Sequence, residues 1–159
     1  MNDLEEKLLM RLKASEPYLY IRTPEPQKTV QSVQNTIHIF NEEQKIKRDI
    51  QETLEYGEWS SSDGWTIYKG VEKPKNIEDT NNPLRALKVL PTFNDGVYIA
   101  LFGHLMFPDG NIEKMEILQA IVEILPQLSN SEVRITFIII SPIYQLPKEI
   151  ENLFILLDD

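Results

Sequence analysis

Lys28-Thr29 is the residue pair with the clearest chemical meaning in this chain. It follows the apolar run 18–21 and a turn, and a helical pattern starts around it. A strand, a loop and a helix opening with Lys-Thr is the outline of a phosphate-binding loop, in which backbone N–H groups wrap an anion and the lysine neutralises it. The rest of the loop lacks that chemistry. Against the pattern G-x-x-x-x-G-K-[ST], Arg22 stands where the first glycine belongs and Gln27 where the second belongs. Pro24 and Pro26 each remove an N–H donor and fix φ near about −65°. Glu25 adds a negative charge beside the supposed phosphate. The magnesium side fails too: the apolar strand 97–102 runs into Gly103-His104, and no carboxylate occurs before Asp109. The pair therefore reads as part of a plain strand–turn–helix connection, with Lys28 a helix-start lysine.

Other constellations are sparse. Of the two histidines, His38 falls mid-helix. His104 falls where strands of an open parallel sheet meet the ligand crevice. A lone histidine there is more often a hydrogen-bonding residue than a base. Ser141-Pro142 ends a strand at the same edge, with no acid–base pair evident beside it. No G-x-S-x-G, H-E-x-x-H or EF-hand spacing occurs. No catalytic residue, cofactor or metal site is expected. The candidate crevice or partner surface gathers Thr23, Glu25, Lys28, Gly103, His104 and Ser141. Trp59, Trp65 and Tyr68 have the rings to stack on bases, but the acidity of the chain favours a core role for them.

That acidity comes from 25 acidic against 16 basic residues, a net charge of −9. It argues against nucleic acid and anionic membrane as partners. The absence of cysteine removes disulfides, thiol nucleophiles and thiolate metal sites, and fits a cytoplasmic location. The opening "MNDLEEKLLMRLK" is acidic and amphipathic, unlike a signal peptide, and no apolar run reaches membrane-spanning length. With 159 residues and 42 % apolar content, one domain spanning 1–159 is expected.

The elements that must position these residues follow from periodicity. Leu4, Leu8 and Leu12 mark a helix over 3–14. A strand over 18–21 precedes a helix from about Gln27, on which Val30, Val33, Ile37 and Phe40 share a face. The segment 41–63 reads as a polar elaboration: a helical extension keeping Ile46, Ile50 and Leu54 on one stripe, then a loop. A strand at 65–68 is followed by a polar linker and a helix opened by Asn82-Pro83 and stopped by Pro91. The run 97–102 is apolar throughout, as a strand covered on both faces is, and the run 133–140 is the strongest strand signal in the chain. Between them a helix from about Ile112 carries two stripes. Met115, Leu118, Val122 and Leu125 are read as the inner one, and Ile117, Ile121, Ile124 and Leu128 as the outer one. The N-terminal leucines are expected to cover that outer stripe; otherwise it would meet a partner or pair with itself. A short helix from Pro147 and a strand at 154–157 close the chain. Strands alternating with helices give a three-layer α/β/α fold around a mainly parallel five-stranded sheet.

The succession "YLYIRT", a helix, "WTIYKG", "NPLRALKVL", "DGVYIALFGHLMFPD" and "ITFIIISPIYQLPKEIENLFILLDD" resembles the N-terminal domain of the plastid- and cyanobacteria-encoded uncharacterised class of AAA+ ATPases. The resemblance covers nearly the whole chain. It implies a degenerate, non-catalytic P-loop-like domain with strand order 5-1-4-3-2. It also implies a regulatory or protein-interaction role with an AAA+ ATPase module as partner, in cis or in trans. The chain departs from the family pattern in places. Of an acidic pair in the first loop only Glu25 remains, and of Asp-Phe-His after the third strand only His104 matches; the segment 41–63 is longer than usual. The chain is expected to be an excised domain or a stand-alone relative lacking Walker A, Walker B and arginine finger. Two other readings compete: a small-molecule or nucleotide sensor using the crevice at the strand ends, and a homo-oligomerising scaffold.

Overall fold

The computed structural model describes residues 1–48, 54–107, 112–130 and 132–159. The elements run α1 (Asp3–Lys13), β1 (Tyr18–Arg22), α2 (Pro26–Arg48), β2 (Glu55–Ser60), β3 (Gly64–Tyr68), β4 (Lys75–Asn76), α3 (Pro83–Val89), β5 (Gly96–Leu101), α4 (Ile112–Asn130), β6 (Ile135–Ser141) and β7 (Ile155–Asp158). Two asparagines start helices. Asn2 Oδ1 accepts from Glu5 N–H, and Asn82 Oδ1 accepts from Leu84 and Arg85 N–H with Pro83 in the first turn. Each satisfies N–H groups that a helix start leaves open.

The sheet order is β4-β3-β2-β5-β6-β1-β7. β2, β5, β6, β1 and β7 are parallel, while β3 and β4 add antiparallel edges. The α/β fold and the order of the four strands β7-β1-β6-β5 agree with the sequence expectation, but the sheet has seven strands rather than five. Residues 55–60 form β2, where a helical tail followed by a loop was expected. This strand, rather than 65–68, pairs with β5, and β3 lies one place further out. Glu55 and Glu58 hid the strand, because its inward payload is little more than Gly57 and Trp59. Trp59 is buried, and its Nε1–H donates to Thr80 O at 2.6 Å. Thr80 anchors this edge again through its Oγ1, which accepts Trp65 N–H at 2.8 Å and donates to Ile77 O at 2.6 Å. The expected helix from Pro147 is instead a turn and one 3-10 turn at Glu151–Leu153.

Alternation along the central strands feeds two cores. Leu19, Ile21, Val97, Ile99, Ile138 and Ile140 point to the face covered by α1 and α2. Tyr18, Tyr20, Tyr98, Phe137 and Ile139 point to the face covered by α3 and α4. Period-two side chains require this split. It overturns two expectations about α4. Ile117, Ile121, Ile124 and Leu128 are buried against the sheet, whereas Met115 and Val122 are 71 % and 55 % exposed. The stripe expected to lie outside is therefore the one that meets the sheet, while Met115 and Val122 of the expected inner stripe face out and Leu118 is half-buried. The leucines of α1 do not cover α4; Leu4, Leu8 and Leu12 are buried on the opposite face, beside Val30, Val33 and Phe40.

Candidate functional site

At the carboxyl ends of β1, β5 and β6, two connections meet. The first is the β1–α2 turn, which has only three residues between Arg22 and Pro26. Thr23 N–H donates to Ser141 O at 2.9 Å, and Glu25 N–H to Thr23 Oγ1 at 3.1 Å. Pro24 and Pro26 have no N–H to offer. Lys28 and Thr29 N–H both turn back to Glu25 O at 3.1 Å. These donors are spent on the protein itself, so the turn forms no anion cradle of the phosphate-loop kind. Thr29, in the position of a magnesium-binding hydroxyl, is buried with its Oγ1 2.6 Å from Asp159 Oδ2 and 2.9 Å from Thr23 Oγ1. Lys28 Nζ lies 3.4 Å from Glu25 Oε2 on the exposed rim. Beside them Arg22 grips Asp158 with Nε–Oδ1 at 2.7 Å and Nη2–Oδ2 at 3.1 Å.

The second connection leaves β5. Phe102 takes a left-handed backbone conformation, φ 54° and ψ 38°, while its N–H still donates to Ile140 O at 2.8 Å. A bulky residue there is strained by about 1–3 kcal/mol, held by its surroundings. One 3-10 turn, Gly103–Met106, follows. A Cβ on Gly103 would lie 2.8 Å from Ala100 Cβ and 3.0 Å from Ile139 Cγ2, so only glycine lets the turn fold onto the sheet. That places His104 Nδ1 2.8 Å from Ser141 Oγ. Ser141 Oγ also accepts Ile143 N–H at 3.2 Å and lies 2.8 Å from Ile143 O. Tyr20 OH completes the fastening: it donates to Ile143 O at 2.6 Å and accepts Gln145 N–H at 3.2 Å. Desolvation lowers the His104 pKa, which favours the neutral imidazole. Ser141 is wholly buried and its hydroxyl is surrounded by three partners. This arrangement ties the segment after β6 to the sheet edge; it does not offer an activated nucleophile, which needs an accessible oxygen and an oriented base.

The structure thus brings Gly103, His104 and Ser141 together. Thr23 joins them through its backbone, while its hydroxyl turns to Thr29 and Asp159. Glu25 and Lys28 sit outside, paired with each other. Sequence reasoning missed Tyr20, Phe102 and Asp159. The roles of Tyr20 and Asp159 depend on side-chain contacts from β1 and α2 to the segments that follow β6 and β7, and that of Phe102 on the left-handed turn after β5, none of which a local pattern reveals. Among the described residues no group of three or more His, Cys, Asp or Glu side chains could hold a metal ion, and no helix is long and apolar enough to cross a membrane.

No curated protein and no solved structure matches the chain. A family model does, that of the SpoVK-like AAA ATPase, N-terminal domain, over residues 4–158. With nearly every residue inside that match, the chain belongs to the SpoVK-like AAA ATPase N-terminal domain family.

Proposed function

We propose that this chain is a non-catalytic module that regulates an AAA ATPase or recruits partners for it, acting by binding in the cytoplasm. The ATPase module would be reached in cis or in trans. The observation that carries this reading is the β1–α2 turn. A nucleotide-binding ancestor would need an open, glycine-lined loop there. Here the loop is three residues long, Thr23 and Glu25 N–H are bonded internally, and Thr29 is bonded to Asp159. The degenerate character and the narrower plastid- and cyanobacteria-type assignment belong to this proposal and rest on the order of the sequence motifs. Titration calorimetry with Mg-ATP and with ADP is expected to give nothing tighter than about millimolar, and a micromolar constant overturns the reading. An ATPase module of the same family is expected to bind the chain when the two are mixed.

The second reading is a small-molecule sensor at the crevice. The observation favouring it is the strained Phe102, because strain of this kind collects at ligand sites. The half-buried His104 ring stands next to it, with ring centroids 6.5 Å apart. Nuclear magnetic resonance shifts confined to Phe102, His104 and Ile143 in a metabolite screen would support it; their absence favours the interaction module.

A further inference from the structure

We infer that the exposed face of α4 is a docking seam for a basic amphipathic helix of another protein. The inference deepens the interaction-module reading and rests on it. Met115, Leu118 and Val122 follow three-then-four spacing, so they form one narrow stripe along the helix. Met115 and Val122 are mostly exposed and Leu118 is half-buried, while the opposite side of the same helix is packed on the sheet. A narrow apolar stripe of this spacing suits a partner helix better than a flat surface. One flank of the stripe carries Glu116, Gln119 and Glu123, all exposed, with Gln119 Nε2 donating to Glu123 Oε1 at 3.4 Å. Their spacing of three and four places them on a single line beside the apolar row.

The charge selects the occupant. An anionic membrane is repelled by this flank and by the net charge of −9. A second copy pairing antiparallel fits badly, because that arrangement lays one glutamate flank against the other. Lysines or arginines on a partner helix complement both glutamates while its apolar row meets Met115 and Val122.

Two synthetic peptides test this, each a helix with the same leucine seam, one flanked by lysine and one by glutamate. Fluorescence anisotropy against the 159-residue protein at physiological ionic strength is expected to show saturable binding of the lysine peptide alone. Met115→Ser with Val122→Ser should weaken it by about tenfold, which corresponds to about 1.4 kcal/mol. Glu116→Lys with Glu123→Lys should weaken it similarly and admit the glutamate peptide. Glu42→Lys on α2, which covers the other face of the sheet, should leave binding unchanged. All these side chains are exposed, so the variants keep the fold. Equal binding by wild type and the Met115/Val122 variant overturns the inference, as does equal weakening by Glu42→Lys. A wild-type dimer in sedimentation that the Met115/Val122 variant dissolves shows a second copy as the occupant instead. If an ATPase module binds the chain and that binding survives the α4 variants, the α4 assignment falls and the interaction-module reading stands. If Mg-ATP binds at micromolar concentration, the module reading falls whatever the peptides do.

Discussion

Replacing Thr29 by valine separates a phosphate-loop hydroxyl from a structural one. In a working phosphate loop this change abolishes magnesium-dependent nucleotide affinity and barely touches stability without ligand. Here the reverse is expected. Thr29 is 1 % exposed, and its proton goes to Asp159 Oδ2 at 2.6 Å. Valine has the same shape, so no cavity opens and the loss is electrostatic. A hydrogen bond to a charged group contributes about 1.5–3 kcal/mol, and the low end applies because water re-solvates the exposed Asp159. Thr23 loses its 2.9 Å neighbour but keeps Asp159 at 3.4 Å, which adds little. The sum is about 1.5–2 kcal/mol. For a chain of this length each kcal/mol lowers the melting point by about 2–4 °C, so a fall of about 3–8 °C is expected. A double-mutant cycle with Asp159→Asn should return a coupling of about 1 kcal/mol. Differential scanning calorimetry with and without Mg-ATP reads all of this. An unchanged melting point, zero coupling, or a nucleotide-dependent shift that Thr29→Val removes would refute the reasoning.

Thr80→Val strands the buried N–H of Trp65 and leaves Ile77 O without its 2.6 Å donor. A loss of about 2–4 kcal/mol is expected in urea unfolding, and a smaller loss than Thr29→Val gives would mean that this edge does not hold the hairpin. Leu8→Asp puts a carboxylate at a fully buried position between α1 and the sheet, so a loss of at least about 4 kcal/mol or failure to fold is expected. Soluble expression with near-native melting would contradict the placement of α1. The lowered pKa of His104 sets a pH dependence. As the pH falls, the unfolded chain takes up the proton before the folded one does. The stability from neutral His104 is complete above the ordinary histidine range and is lost as pH falls below it. Urea midpoints at about pH 8 and about pH 5 should converge in His104→Gln once the other acid-sensitive groups are subtracted as a common background, and identical slopes in both proteins would remove His104 as the cause.

The fold was legible where one physical signal dominated. β5 is apolar along its length and β6 nearly so, a pattern that suits a doubly covered strand, and Asn82-Pro83 marks a helix start by capping chemistry alone. β2 was not legible. Ile46, Ile50 and Leu54 continue the period of α2 in the sequence, so a helical pattern runs up to the start of β2; Ile50 itself lies outside the described residues. Ile46 is in fact 82 % exposed, which shows that the period carried no burial there. On α4 the sequence offers two apolar stripes of equal strength, and nothing within the helix says which meets the sheet. The same holds for α1: three leucines demand burial, but the face is settled only by topology. The candidate site was legible as an edge and not as a network. His104 and Ser141 were both placed at strand ends, yet their contact depends on the tight turn that Phe102 and Gly103 make.

The grip of Arg22 on Asp158 also has a mechanical side. β7 runs parallel to β1 through four paired positions, Leu19↔Ile155 to Arg22↔Asp158, and Asp159 N–H adds a bond to Arg22 O at 2.9 Å. A pull applied at Asp159 along the strand axis therefore meets the backbone ladder in shear, every rung loaded at once, with the two-pronged ion pair at the end nearest the force. A pull across the sheet would open the same rungs singly, as a zip opens. The junction is stiff in one direction and yielding in the other, so the direction of an applied force decides whether this domain transmits it or comes apart at its edge.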